Sequence, residues 1–249
     1  RFAPGVHLLP GGKYQIPNDT TVIIEGGAVV VGSFEAASRN PQNIAIRGRG
    51  ILTARAITEQ PEEAGQWINH AIGVLTSGGS GLSVEGITIS DPLRGAITSY
   101  SPMDVSRVKL LSWHHRNDGV TVGAGSTLED SFIKVQDDSI KLYNSGLTVR
   151  NIVVWQQTSG AVLKLSWNQP KDATAISVSD IDVIHSDAFY DYPGGAGGEN
   201  DRPDLSSKSA IISAMGYRNG SSTTNVTISD LRIEEPHVLR LLGLRMASR

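Results

Sequence analysis

The sequence predicts an all-β fold, a right-handed, single-stranded parallel β-helix in one domain over residues 1–249. Three observations predict it. Short Val/Ile/Leu-rich runs are broken every few residues by Gly, Asn, Asp or Ser, and helical periodicity is nearly absent. One pattern, apolar-X-apolar-X-(Gly/Asn/Asp)-apolar-X-apolar, recurs along the chain. Its copies are spaced mostly 21–29 residues apart, the length of one turn of a solenoid. A β-sandwich also has many short strands, but its spacing is about 8–12 residues and its motifs need not repeat.

The repeat is clearest in Leu82–Ile89, Leu147–Val154, Ile176–Val183 and Val226–Ile233, with looser copies around Ile46, Val105 and Leu128. Taking the second apolar residue as anchor gives positions 46, 84, 105, 128, 149, 178 and 228. The last gap, from 178 to 228, holds either two rungs or one rung with a long loop. The first 45 residues are the opening rungs. At the bend of each copy stand Gly86, Asp130, Asn151, Asp180 and Asp230, residue types that tolerate the left-handed conformation a corner needs. Pro193 to Gly198 reads as a loop on the rim of a cleft.

Composition narrows the function. The chain is 39% hydrophobic with a net charge of −3, so no basic excess points to nucleic acid or an anionic membrane. No apolar run is long enough for a transmembrane helix. There is no cysteine, hence no disulfide. Sequons at Asn18, Asn219 and Asn225 lean toward an extracellular location. A monomer is expected.

The chemistry concentrates in Asp118 and, nineteen residues on, Asp137 and Asp138. That separation is close to one rung, so the three carboxylates converge on one patch if the chain coils. Counting back from the following anchors puts Asp118 ten residues before Leu128, Asp138 eleven and Asp137 twelve before Val149, Arg94 eleven before Val105 and Trp167 eleven before Val178, so all five fall on one face of successive rungs within about two positions. Clustered carboxylates resist joint ionisation, which keeps one protonated for general acid catalysis. An aromatic ring beside them suits the apolar face of a pyranose. Each residue has a plainer reading. Asp118-Gly119 is a common turn dipeptide, Asp137-Asp138 could be a solvated turn or a calcium site, and Trp167 could be core. Lys141 and Lys164 are either surface charges or donors to sugar hydroxyls. His114-His115 lacks further ligands at metal spacing, so neither a metal nor another cofactor is expected.

The stretch Asp118-Gly119-Val120, Asp137 to Ser145 with Lys141-Leu142-Tyr143 inside it, Val149 to Trp155, Trp167, and Asp182 to His185 resembles glycoside hydrolase family 49, the dextranases and isopullulanases. Pro4 to His7, Gly26 to Gly32 and Gly48 to Leu52 are similar as well, so the resemblance covers most of the chain. It implies a right-handed parallel β-helix and an inverting endo-hydrolase of α-glucans, dextran first. It implies Asp137 as general acid and Asp118 and Asp138 as the carboxylates that activate water. Trp167, Lys141, Lys164, Arg94 and Tyr143 are then the expected sugar contacts. Family members carry a β-sandwich ahead of the β-helix, so a shortened relative or a fragment is expected. Gln136 stands where the family often has a third acid. The Gly-His-Gly and Arg-Ile-Lys of polygalacturonases are missing, which argues against a pectin substrate. The competing readings are a hydrolase of another polysaccharide on the same scaffold, an idle glycan-binding β-helix and a uronate lyase.

Overall fold

The computed structural model describes residues 1–54, 70–113, 117–157, 159–166, 169, 171–187, 210–215, 221–234 and 240–245. The expected loop at residues 193–198, as well as Trp167, His114, His115 and Asn219, lies outside them.

Among the described residues, 21 strands join one sheet and every pairing is parallel. The chain winds as a coil with three tracks of stacked strands. One track runs through Thr20–Ile24, Ile44–Gly48, Leu82–Glu85, Met103–Ser106 and the first halves of Thr127–Val135, Thr148–Gln156 and Ile176–Ser186, to Val226–Ile228. A second continues each rung after the bend, through Ile51–Thr53, Thr88–Ser90 and Lys109–Leu111 to Leu231–Ile233. The third carries the site. It stacks Ile72–Val74, Ile97–Ser99, Val120–Thr121, Ile140–Lys141, Leu163–Leu165, Ile212–Met215 and Leu242–Arg245. This is a parallel β-helix, as the repeat predicts.

The register agrees with the repeat residue by residue. Ile46 pairs with Val84, Val84 with Val105, Val105 with Leu128, Leu128 with Val149, Val149 with Val178 and Val178 with Ile228. The gap from 178 to 228 therefore holds one rung with a long insertion. These anchors stack inside the coil, where most are buried to 3% exposure or less and form one continuous core. Burial at about 25 cal/mol per Å² of apolar surface is what rewards the strict alternation. At the corners Asp130, Asn151, Asp180 and Asp230 all have φ between 50° and 54°. Asn151 Nδ2 also donates to Asp130 Oδ1 on the rung before it, at 2.7 Å. No described helix is long and apolar enough to cross a membrane.

Candidate active site

The three aspartates meet where the second track turns into the third. Val120 pairs with Ile140, so Asp118 and Asp138 hold the same register position on adjacent rungs. Backbone bonds fix this. Gly119 N donates to Asp138 O at 2.9 Å, and Asp137 N donates to Asn117 O at 2.9 Å. Gly119 is needed for close approach, because a Cβ there would lie 2.2 Å from Ser139 O. Gly160 is required from the other side. Its φ is +76°, and a Cβ would sit 2.3 Å from the Asp137 carbonyl carbon. The acids are thus clamped between two glycines on neighbouring rungs.

The carboxylate oxygens of Asp118, Asp137 and Asp138 include one from each residue within 4.8 Å of the others. Such a trio has the donor set for a cation, and the protein supplies one of its own. Lys141 Nζ is 2.6 Å from Asp118 Oδ2 and 3.9 Å from Asp138 Oδ2. Lys141 follows Asp138 by three residues and belongs to the third-track strand, so its side chain emerges beside the acid turn. Asp138 is buried, at 6% exposure, and its Oδ1 accepts Ala161 N at 3.0 Å. Asp137 is half-buried, and its Oδ1 accepts Asp138 N at 2.9 Å. It makes no ion pair among the described residues.

Burial dominates the protonation of the cluster. It pushes Asp138 from 3.8 up to about 7, and the Asp137 carboxylate adds to the push, while Lys141 and Lys164 pull the other way. Burial also raises Asp118, and its contact with Lys141 only partly offsets this. Burial works to lower Lys141, but its carboxylate neighbours, Asp118 first, outweigh it and hold the ammonium charged well above its ordinary range. Groups this close titrate as a unit, so their protons belong to the cluster.

Several expected sugar contacts are placed differently. Lys164 pairs with Lys141 across the rungs, yet it is 1% exposed and its Nζ donates to Ser213 Oγ at 3.0 Å. The next rung covers it, so it acts on Asp138 through space and does not reach a sugar. Tyr143 is 7% exposed, and its hydroxyl is buried without a hydrogen-bond partner among the described residues. The strand Ile140–Lys141 ends before it, alternation lapses, and the ring turns inward. Column counting holds at Arg94 and is off by one between Asp118 and Asp138, which share one register position. Ala96 N donates to Asp118 O, which puts Gly95 under Asp118 and Arg94 level with Asn117. In the column of Asp138 the next rung contributes Ala161, where counting puts Trp167.

Asn117 was legible only as part of a turn. It is fully buried. Its Nδ2 donates to Pro92 O at 2.6 Å and Arg94 O at 2.8 Å, and its Oδ1 accepts from Ser112 Oγ. With its carbonyl on Asp137 N, it ties the acid turn to the rung below. Nothing local in the sequence distinguishes such an asparagine from a solvated turn residue.

No family model matches the chain. It is 23% identical over 264 residues to a dextranase of Arthrobacter globiformis, covering 95% of this chain and 39% of the dextranase. It is 26% identical over 203 residues to an isopullulanase of Aspergillus niger, covering 74% of this chain and 36% of that enzyme. The chain resembles glycoside hydrolase family 49. Its fold matches that of Dex49A from Penicillium minioluteum with a TM-score of 0.70, at 19% identity, over 97% of this chain and 46% of Dex49A. The chain thus spans less than half the length of these relatives.

Proposed function

We propose that this β-helix carries the active site of an endo-acting glycoside hydrolase of a neutral α-glucan, dextran first. The observation that carries the reading is the trio itself, three carboxyls on two adjacent rungs with one lysine among them. Two of the three are pushed upward, so the cluster retains a proton for a leaving glycosidic oxygen. Asp137 is the proton donor, being half-buried and in no ion pair among the described residues. Asp118, held by Lys141, and Asp138 take the proton of the attacking water. The dextranase and isopullulanase names of its relatives supply the substrate class.

Inversion is the stereochemical outcome we propose, on the resemblance. The nearest carboxylate oxygens lie closer together than the roughly 6.5–9.5 Å between carboxyl groups of common inverting pairs. Water must therefore approach beside the trio and not between its members. Incubation with dextran, pullulan and galacturonan, followed by product sizing and anomer analysis, tests the whole reading. Release of β-configured products from an α-glucan supports it, and α-configured products would overturn the inversion. Cleavage of none of the three would favour a glycan-binding module. Asp137→Asn should lower hydrolysis by about 10²–10⁴-fold while leaving oligosaccharide binding in place. A D137N protein as active as the parent would remove Asp137 from the acid role.

A further inference from the structure

The column that holds the acids continues toward the N-terminal rungs. Ile97 pairs with Val120 and Ile72 with Ile97, so Gly95 lies one rung below Asp118 and His70 one rung below Gly95. The His70 ring leans over Gly95. A Cβ there would meet His70 Nδ1 at 2.7 Å and Thr98 Oγ1 at 2.8 Å. The glycine is thus the room the imidazole occupies. His70 Nδ1 shares a hydrogen bond with Thr98 Oγ1 at 3.0 Å, which fixes the ring. Its Nε2 has no hydrogen-bond partner among the described residues. In the adjacent column Glu35, Gly73, Thr98, Thr121 and Lys141 follow one another, and Gly73 leaves a gap in the row of side chains.

We propose that His70 and Thr98 form a sugar subsite on the N-terminal side of the acids, in which His70 Nε2 bonds a hydroxyl of a neutral glucosyl residue. This rests on the hydrolase reading for the identity of the sugar, but not for the existence of the site. Two rungs separate the His70 and Asp118 positions, roughly 10 Å at the rise of paired strands. That leaves room for one pyranose ring between the subsite and the bond to be cut. The ring is also of the right kind. Burial first, then Lys141, lowers His70 to about 4, with Glu35 opposing and Lys13 adding to the fall. Above that pH the imidazole is neutral, and a neutral group held by one nitrogen presents a single hydrogen-bonding atom to a hydroxyl. A uronate would ask for a cation instead, and the lysine nearest the acids is committed to Asp118.

Calorimetric titration of the Asp137→Asn protein with isomaltohexaose, beside the Asp137→Asn/His70→Ala double variant, tests the subsite. We expect the double variant to bind about 10-fold more weakly, the loss of one net hydrogen bond. Thr98→Val, which removes the anchor of Nδ1 and keeps the side-chain shape, should weaken binding in the same direction. In the otherwise unaltered protein, His70→Ala should raise KM for dextran more than it lowers kcat and shift the lengths of the products. A merely structural histidine would lower the melting temperature without moving that pattern. Equal affinities in the single and double variants, with both folded, would overturn the subsite, as would failure of Asp137→Asn to bind isomaltohexaose at all. Binding with no cleavage by the parent would sink the hydrolase reading and leave the subsite standing. Cleavage with unchanged His70→Ala affinity and product lengths would do the reverse.

Discussion

Replacing Asp138 by asparagine should stabilise the protein at neutral pH and do nothing for it in acid. In the unfolded chain this carboxyl releases its proton near 3.8, and in the folded chain near 7. Between those values the folded state holds a proton that the unfolded state has lost. Raising pH through that window therefore costs stability. Below 3.8 both states are protonated and the penalty is nil; above 7 it is fully present. The difference corresponds to about 4 kcal/mol at about 1.36 kcal/mol per pH unit. The side-chain amide of the Asp138→Asn variant would carry no charge at any pH and would keep an oxygen for Ala161 N. Lys141, 3.9 Å away, loses a partner in the variant, so about 4 kcal/mol is an upper bound. For a chain of 249 residues this is a rise in melting temperature on the order of 10 °C at pH 8. Thermal unfolding of parent and variant at pH 3.5, 5.5 and 8 measures it (the three values chosen as roughly below, within and above the window). A gain that is the same at all three, or larger in acid, would refute the reasoning.

Lys141→Met removes the 2.6 Å pair and leaves burial and Asp137 to push Asp118 further up. Hydrolysis should fall about 100-fold, and the acid limb of its pH profile should move to higher pH; an unmoved limb would mean that Lys141 does not set the protonation of Asp118. Gly160→Ala forces a side chain into the Asp137 backbone. It should lower kcat at least about 10-fold although residue 160 is itself buried, with the displaced turn visible in a crystal structure. Asn117→Ala takes the Nδ2 donor away from the buried Pro92 carbonyl and from the part-buried Arg94 carbonyl. Urea unfolding should report a loss of about 2–3 kcal/mol. Asn117→Asp should be no better, because it keeps the shape and loses both donors.

The fold was legible because its rule is local. Each rung writes its own alternation and its own bend residue, so Ile46, Val84, Val105, Leu128, Val149, Val178 and Ile228 could be aligned by counting. Asp118 and Asp138 fell within that rule because few residues separate each from the next anchor. The count still sets Asp138 one position from Asp118, which the structure holds in one register, and Ala161 stands in the column where counting puts Trp167. Connections from the third track to the first track of the next rung vary in length, as from Val120 to Leu128, Ile140 to Val149 and Leu163 to Val178, and a count back across them inherits that variation. The anchors belong to the first track, while the acids sit at the entry to the third.

By itself the sequence determined the coil, its register and the convergence of three carboxylates. Only the tertiary structure decided which neighbours act on them. Lys164 is covered by Ser213, 49 residues away, and so modulates Asp138 from inside. Tyr143 turns inward, and His70 lies in the acid column two rungs below Asp118. The reason is physical. Alternation and bends are set within a rung by neighbours a few residues away. Burial, ion pairing and protonation are set between rungs, by residues that the chain brings together only after one or more full turns.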